Sequence, residues 1–185
     1  MSAMAAGWNA QLIVETWSEG GMMATSVGLA VARSHTCGRH VCVVPDERSR
    51  SEYAERMGEA GMWPEIVVGD AEEVMEDLAG IEFMVVDSRR SNFSRVLKLA
   101  KLSNKGAVLI CKNACHSGNS SIASAGFRWR NVLEEGSRRL VRSVFLPVGK
   151  GLDIAHVSAI GSSAASKKWI KHVDHESGEM HVIRR

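Results

Sequence analysis

What this 185-residue sequence lacks narrows its class first. No apolar run approaches the roughly 20 residues that a membrane-spanning helix needs, so no membrane partner is expected. The first residues carry neither a basic n-region nor a basic amphipathic presequence, and the expected location is cytoplasmic or nuclear. No internal repeat is visible, and no Gly-x-Ser-x-Gly elbow supports serine-hydrolase chemistry. Cysteine is sparse: Cys37, Cys42, Cys111 and Cys115 are the whole set. None forms a CxxC pair. The spacings Cys37-x-x-His40-x-Cys42 and Cys111-x-x-x-Cys115-His116 read as reduced structural thiols rather than as a zinc site.

What is present is ordinary in amount and uneven in placement. Hydrophobic residues make up 45% and charged residues 24%, which suits one globular domain over residues 1–185. The net charge of +2 hides a separation. Residues 1–88 carry 15 acidic and 5 basic side chains, a net of −10, and residues 89–185 carry 6 acidic and 18 basic, a net of +12. If the two halves of the chain form the two halves of one sheet, the molecule is electrically bipolar. Its basic half can then attract a phosphorylated or carboxylated ligand, or nucleic acid. Solubility or self-association is the plainer use of the same charges.

The organising stretch is Gln11 to Glu47. Gln11-Leu-Ile-Val-Glu-Thr16 reads as a buried strand, Trp17-Ser-Glu-Gly-Gly21 as a turn, Met22 to His35 as a helix and His40-Val-Cys-Val-Val44 as a second strand. That is a βαβ unit. Its turn and helix N-terminus face whatever binds at the carboxyl edge of the sheet, and Asp46, past the second strand, is placed to take a ribose hydroxyl. Glycines that only tighten a turn would look the same.

The alternation continues: helix Ser49 to Gly61, strand Pro64 to Val68, short acidic helix Glu72 to Leu78, strand Ile81 to Val86. Ser91 is placed to cap a helix whose apolar side is Phe93, Val96, Leu97, Leu99 and Ala100, and Gly106 to Cys111 is a fifth strand. Near-continuous apolar strands alternating with helices predict a parallel sheet covered on both faces. Leu140 to Leu146 and Leu152 to Val157 are joined by too short a link for a parallel crossover, so they form an antiparallel hairpin. Lys168 to Val173 and His181 to Arg184 suggest a terminal hairpin turning over Asp174 to Gly178. Phe127-Arg-Trp-Arg130, Arg138-Arg139 and Lys167-Lys-Trp-Ile-Lys171 interleave aromatics with cations, as binders of single-stranded nucleic acid do; solvated faces with packed aromatics explain them equally. His156 reads as a packing residue.

Six motifs in order carry a resemblance: Leu-Ile-Val-Glu15 with Gly20-Gly21; Gly38-Arg-His-Val with Asp46-Glu47-Arg48; Val67-Val-Gly-Asp70-Ala71; Phe83-Met-Val-Val-Asp87; Gly106-Ala-Val-Leu-Ile-Cys-Lys-Asn113; and Arg142 to Gly151. On these the chain resembles class I S-adenosylmethionine-dependent methyltransferases, closest to the O-methyltransferases of the caffeoyl-CoA and catechol type. The whole chain, including Ser2 to Asn9, also resembles a plant-specific family of unknown function sometimes labelled methyltransferase-like. The resemblance implies a doubly wound, mostly parallel seven-stranded sheet over a core of residues 11–158, with a C-terminal extension over 159–185. It implies the strand order 3-2-1-4-5-7-6, which puts a ligand cleft between the first and fourth strands.

The motifs imply that Glu15, Gly20, Gly21, Asp46, Asp70 and Ala71 hold the cofactor, Asp70 through the adenine amine. Asp87, Lys112 and Asn113 line the acceptor side as catalytic candidates, and Arg90 binds an anionic substrate group. The pattern also departs. Trp17 stands where the family has the glycine of Glu-x-Gly, and Val44 where it has the ribose-binding acid. Lys112 replaces an acid of the metal-binding pair and Arg89 a second acid, so no Mg²⁺ or Ca²⁺ site is expected. Lys112 is expected to form an ion pair with Asp87, or to stabilise a developing oxyanion. Two functions follow. One is a metal-independent methyltransferase acting on a small anionic acceptor. The other is an inactive binding or regulatory module using the basic half for nucleic acid or a protein partner.

Overall fold

The structure is a computed structural model describing residues 1–116, 120–121, 127–133, 140–159, 169–173 and 180–184. In chain order its elements are α1 (Ser2–Gly7), β1 (Leu12–Thr16), α2 (Met23–Thr36), β2 (Arg39–Val44), α3 (Glu47–Glu59), β3 (Glu65–Val68), α4 (Ala71–Asp77), β4 (Ala79–Ile81) and β5 (Phe83–Asp87). There follow α5 (Phe93–Leu99), β6 (Lys101–Leu102), β7 (Ala107–Lys112), β8 (Cys115–His116), β9 (Ser120–Ser121), α6 (Trp129–Leu133), β10 (Leu140–Leu146), β11 (Leu152–Val157), β12 (Trp169–Val173) and β13 (Met180–Arg184).

Seven strands form one sheet in the order β10-β11-β7-β5-β1-β2-β3. Numbered along the chain within that sheet, this is the expected 3-2-1-4-5-7-6. β1 pairs in parallel with both β2 and β5, so the topological switch point lies between β1 and β5. β11 runs antiparallel to both β7 and β10. The terminal hairpin forms between β12 and β13. No helix among the described residues is long and apolar enough to cross a membrane.

Alternation along the strands sorts side chains to two faces. Val14, Val43, Met84, Leu109 and Ala155 face α4, α5 and α6 through Met75, Val96 and Trp129. Ile13, Phe83, Val85 and Ile110 face α1 and α2 through Ala5 and Leu29, and Cys42 and Val44 face Tyr53 and Met57 of α3. Both faces are covered, which is why these strands read as unbroken apolar runs.

Two helix starts have plain local causes. Asp46 caps α3 by accepting from Ser49 N at 2.7 Å, and Asp70 caps α4 by accepting from Glu72 N at 2.7 Å. Two expectations are corrected. The fourth core strand begins at Phe83 rather than Ile81, because Ala79–Ile81 pairs with Lys101–Leu102 while the Glu82 carboxylate accepts from Gln11 N at 2.8 Å. Ser91 does not cap the next helix: Asn92 takes the N-cap position without a side-chain bond. His156 packs as expected, edge-on to Trp8 with ring centroids 4.8 Å apart. All four cysteines are free. Arg138-Arg139, the turn 174–178 and the side chains of the basic 167–171 segment lie outside the described residues.

Candidate functional site

A cleft of about 360 Å³ opens at the carboxyl edge, beside the uncapped N-terminus of α2. Its wall is built from the ends of β5 and β7 (Asp87, Arg89, Lys112, Asn113), the first loop (Gly20, Met22) and the turn between β10 and β11 (Gly149, Lys150, Gly151). Asp87 and Lys112 are direct register partners in the parallel β5–β7 ladder. Alternation points both toward the α1–α3 face.

The two do not form the expected ion pair. Asp87 accepts instead from Arg89, at 2.7 Å from Nη2, and from Asn113 Nδ2 at 2.9 Å. Burial works against the Asp87 carboxylate, but Arg89 and Asn113 outweigh it and hold its pKa below the ordinary value. Asn113 sits at φ 58, and Ser88 Oγ lies 3.0 Å and 2.7 Å from the carbonyls of Lys112 and Asn113, knitting the two strand ends together. Lys112 is only 9% exposed, and among the described residues nothing accepts a hydrogen bond or ion pair from its Nζ. The cleft therefore holds one carboxylate already engaged and cations from Arg89, Lys112 and Lys150.

Glu15 is placed elsewhere. It is fully buried behind the first loop, where three groups donate to it: Tyr53 Oη at 2.7 Å, Ser26 Oγ at 3.0 Å and His40 Nε2 at 3.1 Å. Desolvation pushes its pKa up, but His40, Tyr53 and the field of Lys112 bring the net below the ordinary value. The same burial, with Glu15 beside it, drives the Tyr53 phenol far above its usual range. Glu15 is thus an ionised organising group of the α2–α3 core.

The first loop is pinned from two sides. Gly21 lies against the Trp17 ring so closely that a Cβ there would stand 2.5 Å from Nε1. That ring, 2% exposed, sits edge-on to Tyr53 at 5.3 Å on the core side of the loop. It lines neither this cleft nor the crevice behind it. Gly20, at φ 70, has open space around its α-carbon, and its N–H donates to Glu52 at 3.4 Å. The crevice behind Asp87, lined by Thr16, Ala71, Val86, Arg90 and Phe93, leaves no space for a water molecule.

The sequence candidates therefore divide. Gly20, Asp87, Lys112 and Asn113 meet in the cleft. Arg90 and Ala71 line the closed crevice on the other side of Asp87. Asp46 and Asp70 are exposed helix caps at the carboxyl edge, and Glu15 is enclosed. Arg89, Lys150 and the 149–151 glycines were not picked out as site residues. The motif Pro147-Val-Gly-Lys-Gly151 held the signal, a glycine-flanked lysine in a hairpin turn. Among the described residues no three His, Cys, Asp or Glu side chains are placed to share a metal ion.

This sheet order, with a cleft at the β1–β5 switch point and an antiparallel last pair, defines the class I methyltransferase fold. Solved structures agree. The chain matches a methyltransferase from Geobacter sulfurreducens over 85% of its own length and 76% of that chain, at 22% identity and a TM-score of 0.64. It matches a protein provisionally assigned as a caffeoyl-CoA O-methyltransferase from Staphylococcus aureus over 84% and 79%, at 15% identity and 0.62. It matches the SAH-bound methyltransferase PaMTH1 of Podospora anserina over 85% and 75%, at 15% identity and 0.60. No curated protein matches by sequence. The family model of DUF1442, described as a protein of unknown function, matches residues 1–185, and the chain belongs to that family.

Proposed function

We propose that this protein is a metal-independent, S-adenosylmethionine-dependent methyltransferase that takes a small anionic acceptor in the cleft at the ends of β5 and β7. Lys112 carries the reading. Its ammonium stands where resembling metal enzymes hold an acid, lines the cleft, and has no ion-pair partner among the described residues. A carboxylate or phosphate on the acceptor would neutralise a charge that the fold leaves poorly solvated. Arg89 and Lys150 add to the same attraction.

When bound, S-adenosylmethionine supplies a sulfonium methyl group that is already reactive toward an oxygen or nitrogen nucleophile. The chain's own share is placement. Lys112 and Arg89 hold the acceptor's anion, while Asn113 and Asp87 lock the strand ends that carry them. Gly20 gives the loop open space on its outer side while Gly21 packs on Trp17, and Asp46, Asp70 and Ala71 stand along the same edge. Asp70 uses one oxygen for its capping bond and keeps the other toward solvent. Glu15 positions α2 and α3 beneath the loop rather than touching a ligand. Orientation of this kind can supply a large part of a rate enhancement without a strong base.

A second reading, an inactive binding module, is favoured by one observation. The crevice beside Ala71 and Arg90 is closed, so a nucleoside entering there must first displace Phe93 or Arg90. Calorimetric titration with S-adenosylmethionine and its demethylated product separates the two. Micromolar binding supports the enzyme; no heat at millimolar ligand leaves the binding module.

A further inference from the structure

On the opposite face of the sheet, a second cleft of about 390 Å³ lies between α6 and the β10–β11 hairpin. Asp153 lines it, 6% exposed and directly opposite Phe145 in the antiparallel ladder. Trp129 Nε1 donates to Asp153 Oδ1 at 2.8 Å. Burial raises the carboxyl's pKa despite that bond and a second from the Ile154 backbone N–H. Phe127 and Phe145, both half-buried, line the cleft. Phe127 belongs to an aromatic cluster, 5.1 Å from both Phe93 and Trp129. Arg130 and Arg128, the latter donating from one Nη to the Phe127 carbonyl at 2.9 Å, are exposed and line the same cleft.

These groups select jointly. A simple amine would suit Asp153 but be repelled by the arginines. An aromatic acid would suit the arginines but meet the carboxylate. A flat ring with N–H donors on one edge and an anion at a distance satisfies all three elements: donors to Asp153, ring faces to the phenyl groups, anion to Arg128 and Arg130. Guanine has adjacent N–H donors on its pairing edge; adenine presents an acceptor there. We propose that this cleft is a guanine-nucleotide site, filled by a free guanosine phosphate or by a guanine of single-stranded RNA. It shares no residue with the cleft holding Lys112, so the proposal stands independently of methyl transfer.

The test is calorimetry on the full chain with guanosine 5′-monophosphate, adenosine 5′-monophosphate, guanosine, and the RNA hexamers UUGUUU and UUAUUU. The guanine ligand of each pair should bind about tenfold or more tighter than its adenine counterpart. Asp153→Asn keeps an acceptor for Trp129 but turns an amide toward the base, and should abolish that preference. The double variant R128Q/R130Q, made at two exposed positions, should weaken guanosine 5′-monophosphate about tenfold and leave guanosine unchanged. Tighter binding of UUGUUU than of the mononucleotide identifies RNA as the source, and the reverse identifies the free nucleotide. Equal affinity for guanine and adenine ligands, or no binding of either, overturns the proposal. Should D153N not fold, an unaltered ratio of nucleotide to nucleoside affinity in R128Q/R130Q overturns it as well.

Discussion

Glu15 and Asp87 make an instructive pair. They stand near the carboxyl ends of adjacent strands and point toward the same face of the sheet. Glu15 has been drawn inward, with Tyr53, Ser26 and His40 all donating to it in full burial. Asp87 remains at the edge, held by an exposed arginine and an asparagine, next to a lysine that it does not pair with. In the first cluster the carboxylate is saturated by its three donors, and among the described residues only its His40 Nδ1 is left without a partner. The second is cationic and open. An acid in a binding motif therefore informs about binding only after its donors have been counted.

The sharpest way to break this contrast is Glu15→Leu. It strands three buried donors, and urea denaturation should report a loss of about 3–5 kcal/mol. A loss under about 1 kcal/mol would mean that the cluster holds little. Acid titration comes next. The folded pKa of Glu15 lies below its unfolded value of 4.5, so its stabilisation is complete above 4.5 and disappears as pH falls through the folded value. The fall in stability on acidification should be visibly shallower in Glu15→Gln. The smallest effect on folding belongs to Lys112→Met. Removing an ammonium with no partner should change stability by less than about 1 kcal/mol, in either direction. It should nevertheless weaken the binding of an anion at the cleft, followed by a phosphate titration. A large loss of stability with unchanged phosphate binding would reverse the roles assigned to the two clusters.

The sheet was legible because its information is local. Apolar runs, glycine turns and link lengths determine which strands cross over and which fold back, while the strand order was implied by the resemblance that the six motifs carry. The start of the fourth core strand was not, because it depends on Glu82 bonding to Gln11, distant in sequence. Asp46 and Asp70 illustrate an ambiguity of chemistry. An acid after a strand and before a helix suits a ribose or amine, and equally suits the first free N–H groups of the helix, which it meets here. The enclosure of Glu15 could not be read, since Tyr53 lies 38 positions along the chain. Lys112 was read as a replacement for an acid, and its lack of a partner needed the position of Arg89.

Trp17 and Gly21 form a coupled pair. The indole fills the floor beneath the loop, and no side chain fits at position 21 while it does. A lineage that keeps the tryptophan inherits the glycine with it, and one that shrinks residue 17 opens a void under the loop while the Ser18 carbonyl, 2.8 Å from a Cβ at position 21, still holds that position to glycine.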